Sequence, residues 1–295
     1  MAVSYWDWRG RLVEVGDETL ATVLHALDDD RCPAAAKPPV TGAVAPWPAR
    51  RSWGFAVQLY SVRSGGSWGH GDLRDLADLA AWSGRELGAD FVLVNPLHAA
   101  EPLAPISPSP YLAMTRRHLS PLYLRVEDIP EYAGLSPADQ ARVEALGAPL
   151  RAASRTAALI DRDTVWTAKR AALEIIRAGG LSPERQADFD AFRERDLEAV
   201  GDWATWCAIA EVHGPDWRAW PAALADPRSA EVASLRRARA DRVDFHAWLQ
   251  WLTAEQADTA QRAARRAGMA IGVRLIPIIK GTLGPYTSAS IKPSL

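Results

Sequence analysis

Two stretches of the chain gather the residue types that hold a neutral, polyhydroxylated ligand. The first runs Tyr60-Ser61-Val62-Arg63 and then Ser67-Trp68-Gly69-His70-Gly71-Asp72. The second opens with Asn95-Pro96-Leu97-His98 and continues to Ser107-Pro108-Ser109-Pro110-Tyr111. Such a ligand needs aromatic platforms for its apolar faces and short amide, hydroxyl and imidazole groups for its hydroxyls. On this reading Trp68 and Tyr111 stack, while Asn95, His98 and Ser109 hydrogen-bond. A framework reading stands beside it, in which Asp72 caps a helix, Asn95 satisfies local backbone and His98 is a buried structural histidine.

The flanking elements place both stretches at strand ends. Gly54 to Leu59 is a mainly apolar run, and Phe91 to Val94 is a second. Between them Asp72 can cap a helix with Leu73, Leu76 and Ala80 on one face. Strand, loop, helix and strand in this order predict parallel pairing, hence an α/β sheet or barrel. In such folds ligands gather at the C-terminal ends of the strands.

From Ser136 to Gly268 the pattern is helical. Ser136-Pro137, Ser182-Pro183 and Asp226-Pro227 each set a capping side chain before a proline suited to the first helical position. Trp166, Leu173 and Ile176 form one apolar stripe, stopped by Gly179-Gly180, and Val232, Leu235, Leu249 and Leu252 form another. Met269 to Val273 is predicted as a third buried strand. Towards the N-terminus, Tyr5 to Val15 reads as a hairpin turning at Arg9-Gly10, followed by a helix through Leu20 and Leu27. The expected organisation is a small unit at 1–28, a Pro/Ala linker at 29–50, a partial barrel at 51–274 with helical subdomain 136–268, and an atypical tail at 275–295. That tail carries two of the four lysines and four isoleucines but no arginine or acidic residue, which suggests a frameshifted or truncated origin.

The 295 residues carry a net charge of −2, so no broad field attracts nucleic acid or an anionic membrane. Cys32 and Cys207 suggest neither a disulfide framework nor a metal spacing, and the N-terminus lacks a signal-peptide pattern. No stretch reaches the roughly 18 apolar residues of a membrane span. A cytoplasmic protein without metal or organic cofactor is expected. Of the thirteen tryptophans, Trp203 with Trp206 and Trp248 with Trp251 have the i, i+3 spacing of helical core residues.

Taken together, Trp53-Gly54-Phe55-Ala56-Val57-Gln58-Leu59-Tyr60, Ser67-Trp68-Gly69-His70-Gly71-Asp72-Leu73, Asn95-Pro96-Leu97-His98-Ala99, Ser109-Pro110-Tyr111 and Ser120-Pro121-Leu122-Tyr123-Leu124 resemble the amylomaltases, the 4-α-glucanotransferases. The likeness continues through Asp163 to Lys169, Asp202 to Glu211 and Phe245 to Trp251. It implies the first strands of a (β/α)8 TIM barrel with a large helical insertion, acting on α-1,4-glucans. The family passes a glucan segment from one maltodextrin to another through a retaining pair of carboxyl groups about 5 to 5.5 Å apart.

Residue by residue, the resemblance makes Tyr111 the glucan-stacking tyrosine, makes Ser109-Pro110 the turn presenting it, and puts Trp68, Asn95 and His98 on the cleft wall. No catalytic residue carries over. In the family these follow later strands, beyond the place where this chain has Arg274-Leu275-Ile276. Longer members also carry β-sandwich material where this chain has its Pro/Ala linker. The chain is therefore expected to be a truncated member, inactive alone. The alternatives are a non-catalytic glucan-binding fragment and a helical interaction module or pseudogene product. Arg242-Val243-Asp244-Phe245-His246 imitates the family's nucleophile motif, but Phe245 interrupts it and a helical stripe contains it, so Asp244 is read as structural.

Overall fold

A computed structural model describes residues 4–6, 12–14, 16–18, 52–156, 159–195 and 197–273. The predicted helix through Leu20 and Leu27, the linker, Cys32 and the segment 275–295 lie outside them. The chain divides into two compact units, Met1–Arg51 and Ser52–Leu295. In the first, β1 (Ser4–Trp6) pairs antiparallel with β2 (Leu12–Glu14), which is the expected hairpin; its turn at Arg9-Gly10 is not among the described residues.

The second unit is mostly helical around a small parallel sheet. β3 (Gly54–Val57), β4 (Phe91–Val94) and β5 (Ala270–Val273) lie in the order β3-β4-β5, with Val57 opposite Val94 and Val94 opposite Val273. The first strand is shorter than its apolar run predicts, because Leu59–Ser61 closes into a 3₁₀ turn. Helix α1 (Leu73–Leu87) starts on a capping box: Asp72 accepts from the amides of Arg74 and Asp75, and Asp75 accepts from the amide of Asp72. Its buried face, Leu73, Leu76 and Ala80, joins Leu59, Val92, Val94 and Met269 in the sheet-side core.

The helical layer comprises α2 (Pro137–Ser154), α3 (Arg162–Ala178), α4 (Pro183–Arg195), α5 (Leu197–His213), α6 (Ala230–Ala238) and α7 (Ala240–Arg266). Ser136 and Ser182 hold the cap positions expected of them, bonding the amides of Asp139 and Arg185. Asp226-Pro227 does not start a helix. Asp226 closes a turn onto the amide of Arg228, and Ser229 takes the cap by accepting from Val232. The second apolar stripe is thereby divided between α6 and α7, because α6 ends at Ala238. Trp166, Leu173 and Ile176 are buried together with Trp248, Leu249, Trp251 and Leu252 in one core. Trp203 and Trp206 are instead half-buried and stack face to face at 5.1 Å, continued by His118 on one side and Trp220 on the other. Among the described residues no helix is long and apolar enough to cross a membrane.

Candidate functional site

The loops after β3 and β4 meet beside the sheet, and the side chains they carry divide into a buried frame and an accessible rim. In the first loop, Gly69 adopts φ +73°, a left-handed turn that side chains resist, and its amide donates to the Ser154 hydroxyl at 2.7 Å. Gly71 is held for a different reason: a Cβ there would lie 2.0 Å from the Leu59 carbonyl oxygen. These constraints turn Trp68 inward. It is 1 % exposed, its ring lies in the helical core, and its Nε1 donates to Glu127 at 2.8 Å. The stacking platform expected of Trp68 is corrected to a core role, because no ring face reaches solvent.

Asn95 takes the framework reading as well. It is buried, its Oδ1 accepts from the Leu59 amide at 2.7 Å, and its Nδ2 donates to the Pro96 carbonyl and to the Tyr123 hydroxyl. One amide thus ties the ends of β3 and β4 together, and its burial keeps it from a sugar hydroxyl.

The rim consists of His98, Ser109 and Tyr111. His98 is half-buried and forms an antiparallel bridge with Leu119, flanked by bonds from Ser120 N to Leu97 O and from Ala99 N to His118 O. Burial, and secondarily the Arg116 charge, lower its pKa, so at pH 7 the imidazole is neutral and offers one donor and one acceptor. Ser109 is half-buried, with its amide turned to the Ser107 hydroxyl. Tyr111 is 37 % exposed at the end of the Ser109-Pro110 turn, followed by Leu112 at 68 %. An exposed aromatic ring and neutral hydrogen-bonding groups carried on one loop suit a polyhydroxylated ligand rather than a charged one.

A charge cluster not evident from the sequence stands at the N-terminus of α1. Arg125 donates through Nε to Asp72 Oδ2 at 2.6 Å and through Nη2 to Asp75 Oδ1 at 2.9 Å. Burial raises the Asp72 pKa against the opposing pull of Lys169 and Arg125. Burial also opposes the Arg125 charge, but the Asp72 hydrogen bond and the two carboxylates outweigh it and hold its pKa above the ordinary value. Lys169 is fully buried; desolvation drives its pKa down to about 8, and its Nζ donates to the carbonyls of Leu122 and Leu124, both at 2.7 Å. Burial and the Lys169 charge likewise keep His70 neutral, its Nδ1 against the Gly71 carbonyl at 2.8 Å. A lysine within the Trp166–Leu173 stripe was the available signal, since its position i+3 from Trp166 shares the buried face.

The imitation nucleophile is fully engaged. Asp244 lies inside α7, paired with Arg177 at 2.6 Å and Arg193 at 3.4 Å, while Arg242 and His246 both bind Glu211. Asp161 caps α3, and Asp163 accepts from the Ile106 amide at 2.7 Å.

The comparisons agree with this architecture. The family model for 4-alpha-glucanotransferase matches residues 57–283, which runs into the segment that composition set apart. The 4-alpha-glucanotransferase of Mycobacterium tuberculosis is 50 % identical over 230 residues, covering 76 % of this chain and 32 % of the relative. That of Haemophilus influenzae is 31 % identical over 245 residues, covering 76 % of this chain and 34 % of the relative. The chain thus spans about a third of the length of these curated relatives. The crystal structure of amylomaltase from Corynebacterium glutamicum aligns with a TM-score of 0.64 at 41 % identity, over 76 % of this chain and 29 % of that one. Amylomaltase from Streptococcus agalactiae in complex with acarbose aligns at 0.62 and 17 % identity, a likeness of fold alone, over 76 % of this chain and 43 % of that one. With the family model covering well over half its residues, the chain belongs to the 4-alpha-glucanotransferase family, glycoside hydrolase family 77.

Proposed function

We propose that this chain forms one wall of an α-1,4-glucan cleft built on the first strands of a (β/α)8 barrel, and that it contributes binding rather than the carboxylates of glucan transfer. Tyr111 is the stacking ring, and His98 with Ser109 bonds sugar hydroxyls; Trp68 and Asn95 hold the loops that carry them. The observation that supports this best is the exposed Tyr111 on its Ser109-Pro110 turn, in the same loop after β4 as a neutral His98, in a member of this family. The acidic residues of the imitation motif and of α3 are occupied in ion pairs, caps and backbone bonds, which fits a non-catalytic wall.

Titration of the purified chain with maltoheptaose, read by calorimetry, tests the proposal. A saturable heat is expected, and Tyr111→Ala should weaken it about 2- to 12-fold, since an aromatic stacking contact is worth about 0.5–1.5 kcal/mol. No saturable binding, or an unchanged affinity in Tyr111→Ala, overturns the reading. Incubation with maltotriose should release no glucose; sustained transfer by the pure chain overturns the assignment of binding without catalysis.

A further inference from the structure

The loop that presents Tyr111 returns through Leu119, and the bonding around Leu119 is unusual. His98 and Leu119 face each other as the non-hydrogen-bonded pair of their bridge, with the flanking bonds made by Leu97, Ala99, His118 and Ser120. In such a pair the backbone N–H and C=O of Leu119 point away from His98. There they meet a side chain: Gln250 Oε1 accepts from the Leu119 amide at 3.2 Å and Gln250 Nε2 donates to its carbonyl at 2.9 Å. A carboxamide carries one acceptor and donors, as a peptide does, so Gln250 occupies the place of a third strand. It is 5 % exposed, and the adjoining cavity of about 20 Å³, lined by Ser120, Leu122, Trp203 and Leu249 among others, has room for about one water. Bulk solvent therefore cannot replace the amide.

The arrangement recurs one step along α7. Gln256 pairs with the backbone of Arg125 in the same two-bond manner, at 2.9 and 2.8 Å. Gln256 thus makes an equivalent framework contact, but on the far side of the Pro121–Tyr123 turn from the bridge at His98.

We propose that Gln250 is a positioning residue for glucan binding: it fixes Leu119, through Leu119 the bridge to His98, and so the loop geometry that sets Tyr111 against a sugar ring. This rests on the glucan-cleft reading above. Maltoheptaose affinity measured on the full chain for Gln250→Leu, Gln256→Leu, Tyr111→Ala and the Tyr111→Ala/Gln250→Leu double variant tests it, well below the melting temperature of each. Gln250→Leu should weaken binding about tenfold, as expected where the competent loop geometry falls to about one part in ten. Gln256→Leu should leave the affinity within about twofold, and in the Tyr111→Ala background Gln250→Leu should cost less than it does alone, because part of its effect acts through Tyr111.

Wild-type affinity in Gln250→Leu, an equal loss in Gln256→Leu, or a full further loss in the double variant each overturns the positioning role. Where the wild-type chain binds no maltoheptaose, the glucan-cleft reading falls and the positioning role falls with it. Wild-type binding with an inert Gln250 removes the positioning role alone.

Discussion

Replacing Arg125 with methionine should be among the most damaging single changes available in this chain. The Asp72 and Asp75 side chains are 0 % and 2 % exposed, and Arg125 reaches both with a fork that water cannot imitate. Arg125, helped by Lys169, which is about half protonated at pH 8, offsets two buried carboxylates; methionine keeps the volume and removes the stronger positive charge. Breaking a buried pair by deleting one partner costs about 3–5 kcal/mol, because the remaining charge is uncompensated. At about 2–4 °C per kcal/mol for a domain of this size, the melting temperature at pH 8 should fall by about 10 °C.

The pH dependence supplies a sharper check. Burial already raises the Asp72 pKa, and loss of Arg125 removes a hydrogen bond and a charge that oppose the rise, so it rises further. A carboxyl whose folded pKa exceeds its unfolded value contributes stability below that unfolded value, lost as pH rises through the folded pKa. The destabilisation of Arg125→Met relative to wild type should therefore be smaller at pH 5 than at pH 8, by urea unfolding or calorimetry. A melting temperature within about 2 °C of wild type at pH 8 would refute the cost assigned to the uncompensated charge. A deficit larger at pH 5 than at pH 8 would refute the assignment of that charge to Asp72.

Glu211 predicts the opposite acid behaviour. Burial raises its pKa, but the hydrogen bonds and charges of His246 and Arg242 win and hold it at about 2, below its ordinary 4.5. Its stabilisation, about 3 kcal/mol at about 1.4 kcal/mol per unit, is present above pH 4.5 and lost as pH falls towards 2. Glu211→Gln should flatten that acid limb in urea titrations, and an unchanged limb would count against it. At Gly147 a Cβ would stand 2.5 Å from Cε2 and Cζ2 of Trp68. Gly147→Ala should thus cost about 1–3 kcal/mol by overpacking and perturb the near-ultraviolet dichroism of Trp68; neutral stability would show that the α2 backbone yields freely.

What the sequence made legible was local. The capping box at Asp72 and the apolar face of α1 are set by residues within a few positions of one another, and both stand as expected. Asn95 was open to two readings because its partner, the Leu59 amide, is 36 residues away. Trp68 was misjudged because indole serves equally in a core and on a surface, and only Glu127 and the α2 backbone settle which. At Asp226 two capping side chains compete within four residues, and propensity does not rank a turn at Asp226 against a cap at Ser229. Gln250 and Gln256 gave no signal at all, since a glutamine in a helix ordinarily faces solvent and their partners lie 131 residues away.

Those two glutamines, with Lys169, explain why a chain segment without strand partners can still be buried. Backbone N–H and C=O groups taken out of water must be paired. Between Leu119 and Arg125, Gln250, Gln256 and Lys169 satisfy both polar groups of Leu119, both of Arg125 and the carbonyls of Leu122 and Leu124. All three side chains come from the helical layer, two from α7 and one from α3. The same layer reaches the loop carrying Tyr111, through Asp163 on the Ile106 amide and Trp166 Nε1 on the Pro102 carbonyl at 2.9 Å. Fastening by side chains lets a non-repetitive backbone hold one geometry, which the stacking role proposed for Tyr111 requires and which a sheet edge, with its fixed register, does not offer at this position. The helical layer thus fastens the loop from which the accessible rim projects, and of Gln250 and Gln256 only Gln250, which holds the bridge to His98, should alter glucan affinity without touching glucan.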